Sequence, residues 1–102
     1  MKKRQVVITG AGACGLMAAI MAAREHAHVM ILEKKNRLGK KLLATGNGRC
    51  NFTNKVQKKE CYRGKDANFA WNAMQHFSAE DAIEWFDQIG ILATDKNGYM
   101  YP

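Results

Sequence analysis

Hydrophobic and polar positions alternate between two periods along this chain. After the polar opening MKKR, residues QVVIT (Gln5–Thr9) form a short β-branched run, GAGACG follows, and LMAAIMAAREHA is strongly helix-forming in its Ala, Leu and Met content. VMILE, from Val29 to Glu33, is again an apolar run of strand length. Two such runs joined by a helix make a βαβ unit, and their nearly continuous apolar character predicts parallel strands buried on both faces. From Lys34 to Lys65 no period is sustained, although KKLLAT suits a short helical turn, so this stretch reads as an extended functional or connecting segment. Helical spacing returns after Asp66. Phe69, Ala73 and Phe77 recur at i, i+4 and i+8 and are expected to share the core face. Ser78 with Asp81 three positions later forms an approximate capping box for a second helix, with Ile83, Phe86 and Ile89 as its apolar stripe and Gly90 as its stop. ILAT, DKNG and YMYP then predict a β-hairpin, because Asn97 and Gly98 accept positive backbone angles.

Length and composition narrow this picture. At 102 residues, 47% hydrophobic and 25% charged, with a single proline, the chain fits one small globular domain. Its formal charge of +7 favours anionic partners without choosing among phosphates, nucleic acid and membrane. The Lys34 to Lys65 region is dense in positive charge, but no base-stacking or helix-turn-helix pattern accompanies it, so no nucleic-acid partner is expected. Cys14, Cys50 and Cys61 are odd in number and lack CxxC spacing, which argues against a disulfide framework or a zinc site and for reduced thiols in a cytoplasmic setting. MKKR followed by an apolar stretch ending near Ala22 and Ala23 imitates a secretory signal peptide. Gly10, Gly12 and Gly15 break that stretch, and a second strand-like run follows at once. No apolar run is long enough to span a membrane, so no membrane partner is expected.

The chemistry begins at GAGACG. Between a strand and a helix, Gly10 permits the tight turn, Gly12 lets the backbone approach a pyrophosphate, and Gly15 allows close helix-to-strand packing. The helix N-terminus then places an anion over Ala11 to Gly15, a span that makes Ala13 and Cys14 cofactor-binding candidates, with the Cys14 side chain expected to pack behind the turn. Glu33, eighteen positions after Gly15, is placed to accept hydrogen bonds from adenosine ribose hydroxyls, and its charge disfavours a 2′-phosphate, which points to FAD or NAD rather than NADP. The stretch GKKLLATGNGRCNFTN, Gly39 to Asn54, leaves the second strand on the cofactor side. There Lys34, Lys40, Lys41 and Arg49 can approach phosphates, Gly46 and Gly48 admit the cofactor, and Thr45, Asn47 and Asn51 supply neutral hydrogen bonds. His26 falls where a glycine commonly ends the helix, so local strain or a longer turn is expected there. Cys50 and Cys61 are eleven positions apart, and a redox pair between them is weighed below a small cofactor-loop role for Cys50. Trp71, Trp85, Phe69, Phe77 and Phe86 could stack on a ring but are assigned to the core by their helical spacing.

GAGACGLMAAIMAA, then ILEK, then LGKKLLATGNGRCNFTN together resemble the N-terminal region of the bacterial BaiN/YhiN-type NAD(P)/FAD-dependent oxidoreductases, the aminoacetone oxidase-like FAD-binding enzymes. The resemblance runs through the closing GYMYP. It implies an α/β, Rossmann-like FAD-binding domain, noncovalent FAD, NAD(P)H or oxygen as redox partner, and an unknown small organic substrate. Members of that family are about four times this length. Residues 1–102 are therefore expected to be the N-terminal portion of an incomplete FAD-binding domain, without the substrate domain and the segment that completes the cofactor site. A noncatalytic nucleotide-binding or redox-sensing module is the alternative.

Overall fold

The computed structural model describes residues 2–102. They form two compact units rather than one, the first ending at Gly48 and the second running Arg49–Pro102. In the first, β1 (Gln5–Thr9), α1 (Ala13–Arg24) and β2 (His28–Leu32) make the expected βαβ unit, with β1 and β2 parallel and Val7 opposite Met30. Side chains alternate across a strand. Val6, Ile8, Val29 and Ile31 lie on the more covered face, whereas Val7, Met30 and Leu32 are 59%, 53% and 50% exposed. The expectation of two buried faces is thus corrected: α1 is the helix that packs on this two-stranded sheet, and one helix covers one face.

Helix α1 ends in a Schellman turn. The His26 N–H donates to Ala23 O (2.9 Å), the Ala27 N–H donates to Ala22 O (3.1 Å), and His26 itself is left-handed at φ 63°. The expected strain at this position is present. Residues 34–39 then lead into the five-residue α2 (Lys40–Ala44), as KKLLAT suggested.

In the second unit, α3 (Ala67–His76) and α4 (Ala79–Gln88) are inserted between the first and second strands, in chain order, of a three-stranded antiparallel sheet ordered β3 (Thr53–Asn54), β5 (Tyr99–Tyr101), β4 (Thr94–Lys96). The hairpin turn carries Asn97 at φ 54° and Gly98 at φ 88°, as a type I′ turn requires. Residues 91–93 lie outside the strand expected of ILAT. β3 was invisible as a period because two residues cannot display one; Asn54 and Thr53 pair with Tyr99 and Met100.

The α3 face is out of phase with expectation. Phe69 and Phe77 are 76% and 47% exposed, and the less exposed positions are Ala67, Ala70, Trp71 and Met74, still at i, i+3, i+4, i+7. Trp71 sets that phase, its ring lying edge-on to Tyr62 at 6.0 Å. In α4 the stripe is Ala79, Ala82, Ile83 and Phe86, and Ile89 is the half-exposed C-cap. Phe86 meets Phe52 at 4.9 Å and Trp85 at 5.0 Å, both edge-on.

Candidate dinucleotide-binding site

The chain between β1 and α1 is fixed by hydrogen bonds that reach the far end of β2. The Gly10 N–H donates to Leu32 O (2.7 Å), and the Ala11 N–H donates to Glu33 Oε1 (2.9 Å). The Ala11 carbonyl accepts from the Gly39 N–H (2.7 Å), and Ala11 is fully buried. Glu33 accepts through its second oxygen from the Lys35 N–H (2.8 Å). These backbone donors, Lys35 first and then Ala11, hold the Glu33 carboxyl below its ordinary range.

Each fingerprint glycine has a separate physical reason. Gly10 sits at φ 96°, where a side chain is strained. A Cβ at Gly15 would fall inside the van der Waals envelope of the Gly10 carbonyl oxygen, so helix and turn touch there. At Gly12 an added Cβ would meet nothing within 4 Å. Open space beside Gly12 and an α1 N-terminus without a side-chain cap form a cradle that fits a pyrophosphate. Ala13 and Cys14 lie on the exposed first turn of α1. The expectation that Cys14 packs behind the turn is therefore corrected: its helical position turns it outward, and Cys14, Cys50 and Cys61 are all free thiols.

Within the first unit the structure brings together Gly10, Gly12, Ala13, Cys14, Gly15 and Glu33. Lys34 follows Glu33 directly and is exposed, as are Lys40 and Lys41 on α2. Thr45 uses its hydroxyl locally, donating to Leu42 O (2.7 Å) beyond the end of α2. Its donor is thus engaged inside the chain, a helix-end role that the sequence reading did not assign. Gly46, Asn47 and Gly48 are all left-handed, with φ of 57°, 54° and 82°. Three successive residues of this kind are rare outside glycine and asparagine, which explains the GNG composition.

Arg49 and Asn51 belong to the second unit. The Arg49 guanidinium lies over the Tyr101 ring, 5.0 Å from its centroid, a contact that leaves its N–H edge available to an acceptor. With its amide nitrogen turned toward them, Asn51 donates to Thr53 O (2.9 Å) and Met100 O (3.3 Å), which ties the entry of β3 to β5 and leaves its oxygen as an acceptor. Sequence reasoning missed Gly39, whose contact with Ala11 spans 28 positions and leaves no local signature. Among the described residues, no group of three or more His, Cys, Asp or Glu side chains could hold a metal ion, and no helix is long and apolar enough to cross a membrane.

Comparison with known proteins agrees with this geometry. The chain is 46% identical over 100 residues to the 3-dehydro-bile acid delta(4,6)-reductase of Clostridium scindens, covering 96% of this chain and 24% of that protein. It is 30% identical over 96 residues to the ribosomal RNA dihydrouridine synthase of Escherichia coli and 31% identical over 90 residues to that of Haemophilus influenzae. Those matches cover 94% and 88% of this chain, and 24% and 22% of the relatives. The chain thus spans about a quarter of the length of these relatives. Residues 4–102 match the HI0933-like protein Rossmann domain, and with the glycine turn, the parallel βαβ unit and the acid after β2 in place, the chain belongs to that family.

Proposed function

We propose that this chain is the FAD-binding, N-terminal part of a flavin-dependent oxidoreductase. The observation that carries the reading is the open cradle at Gly12, set between an uncapped helix N-terminus and a carboxylate anchored at the end of β2. The amides of Gly12, Ala13, Cys14 and Gly15 would hold the pyrophosphate, with Gly10 shaping the turn and Glu33 accepting from the adenosine ribose. Each Glu33 oxygen receives one backbone N–H and keeps acceptor capacity for a hydroxyl. Lys34, Lys41, Thr45, Gly46, Gly48, Arg49 and Asn51 complete the proposed cofactor-binding set. Flavin, when bound, supplies the hydride chemistry, with NAD(P)H as the proposed electron donor.

The activities named among the relatives are the delta(4,6)-reduction of a 3-dehydro-bile acid in one and the formation of dihydrouridine within ribosomal RNA in the others, and the first has a small organic substrate. We infer that the substrate is a small organic molecule, and that its binding surface is supplied by sequence corresponding to the remaining three quarters of the relatives. A cytoplasmic setting accords with the free thiols.

The test is direct. The purified 102-residue chain should bind FAD or ADP, with a flavin spectrum that dithionite bleaches, and Gly12→Val should abolish binding. A folded chain that binds neither FAD nor ADP overturns the reading. A colourless chain that binds ADP and never FAD favours the noncatalytic nucleotide-binding module.

A further inference from the structure

We propose that Gly39, outside the fingerprint and on the far side of β2, is a positioning residue that aims the Gly12 amide. The Gly39 N–H donates to the Ala11 carbonyl at 2.7 Å. That carbonyl and the Gly12 N–H are the two polar ends of a single peptide group, which is planar and trans, so they point in opposite directions. Fixing the carbonyl toward Gly39 turns the Gly12 N–H away from it. The preceding peptide is held as well, because the Ala11 N–H donates to Glu33 Oε1 at 2.9 Å. Ala11 is thus gripped on both sides while fully buried, and the Gly12 N–H has no partner among the described residues.

Gly39 makes this contact from the left-handed region, at φ 62° and ψ 27°, and its own carbonyl accepts from the Leu43 N–H at 2.9 Å to start α2. Space is not what requires glycine here. A Cβ would lie 3.8 Å from Leu16 Cδ1 and 4.0 Å from the Leu42 side chain, both ordinary contacts. The backbone angle is the requirement, and asparagine can meet it where alanine cannot. The ligand consequence rests on the dinucleotide reading above; the aiming of the amide does not.

The experiment compares Gly39→Ala, Gly39→Asn and a control, Gly90→Ala, in the 102-residue chain. Gly90 is also left-handed, at φ 90°, but closes α4 in the second unit. Gly39→Ala should shift the Gly12 amide resonance and weaken ADP binding about tenfold. Gly90→Ala, compared at a similar loss of Tm, should leave both unchanged. Gly39→Asn should return ADP affinity to within about threefold of the parent. An unshifted Gly12 amide together with parental ADP affinity in Gly39→Ala overturns the proposal. If the parent chain does not bind ADP, the dinucleotide reading fails, and the Gly12 resonance still decides the role of Gly39. Should Gly39→Ala not fold, hydrogen exchange in the parent decides: a Gly39 amide that exchanges as fast as the exposed Asn36 amide overturns the clamp.

Discussion

Helix α1 in the first unit begins at Gly12 with no side chain bonded to its leading amides, whereas α3 and α4 in the second begin at Asp66 and Ser78, whose side chains accept from the Phe69 and Asp81 N–H groups. Asp81 returns the favour, accepting from the Ser78 N–H at 2.9 Å, to close a full capping box. All three helices have ten or more residues and face the same unsatisfied donors. The second unit bonds one of them in each helix with a side chain of its own. In the first, the carboxylate at the turn, Glu33, bonds Ala11, one residue short of the helix. The difference leaves the leading amides of α1 without side-chain partners beside an anchored acid, which is the arrangement the proposed pyrophosphate site requires.

The largest effect expected on this contrast comes from Gly15→Ala. Its Cβ would collide with the Gly10 carbonyl, which is backbone and part of the turn itself, so it cannot rotate away. A loss of about 3 kcal/mol or more is expected, at the upper end for overpacking, with ADP binding lost. A thermal melt with ADP titration checks it; a stable variant that still binds would mean that helix and turn do not touch.

Gly12→Asp tests the bare helix start itself. The new carboxylate would cap α1 as Asp66 caps α3, which raises helix stability by a few tenths of a kcal/mol. It would also fill the open space at Gly12 with negative charge. ADP affinity should fall by about a hundredfold while Tm holds or rises, an opposition of signs that calorimetric titration and melting together report. The matching change in the second unit, Ser78→Ala, should cost about 1 kcal/mol and leave ADP affinity untouched.

The two helix C-termini offer a smaller comparison. α4 ends with the Gly90 N–H donating to Asp87 O and the Ile91 N–H to Phe86 O, both at 2.9 Å, the same Schellman pattern that closes α1. One uses glycine at the left-handed position; the other uses His26 at φ 63°. His26→Gly should therefore stabilise the chain by about 0.5–1 kcal/mol, seen as a raised urea midpoint at unchanged slope. A destabilised variant would show that the imidazole makes a contact worth more than the strain.

How much of this was legible in the residues follows the same division. The βαβ unit, the turn at Gly10, the close helix-to-turn packing at Gly15, the Ser78 and Asp81 box and the Asn97–Gly98 turn each rest on local chemistry, where one residue type answers one backbone demand. What was misread depended on partners distant in sequence. The phase of α3 was missed because Phe69 and Trp71 both offer aromatic area, and only the Tyr62 contact chooses between them. β3 needed β5, nearly fifty positions later, before its two residues counted as a strand. Gly39 read as the start of a cofactor loop; its bond to Ala11 lies between two backbone groups, and backbone groups carry no sequence signal.

The smallest expected effect separates two carboxylates, one in each unit. Glu33 is held below its ordinary range chiefly by the Lys35 and Ala11 backbone N–H groups, and Asp95 chiefly by the Lys55 ammonium 2.9 Å away, with the Gly98 N–H adding to it. Both folded-state pKa values are lowered, so between them and the unfolded values the unfolded chain binds more protons and stability rises with pH. Each contribution is complete above the ordinary values, 4.5 for Glu33 and 3.8 for Asp95, and is lost as pH falls through the lowered ones. Salt tells them apart. The Lys55–Asp95 pair is about half exposed and is screened, whereas a fixed amide aimed at a carboxylate is not an ion pair and responds less. In acid titrations followed by circular dichroism, 0.5 M NaCl should therefore shrink the part of the acid limb that Asp95→Asn removes. The part that Glu33→Gln removes should persist. If salt erases both, Glu33 is held by the surrounding lysines rather than by the turn, and the anchoring of the acid to the glycine turn carries less of its ionisation than its geometry implies.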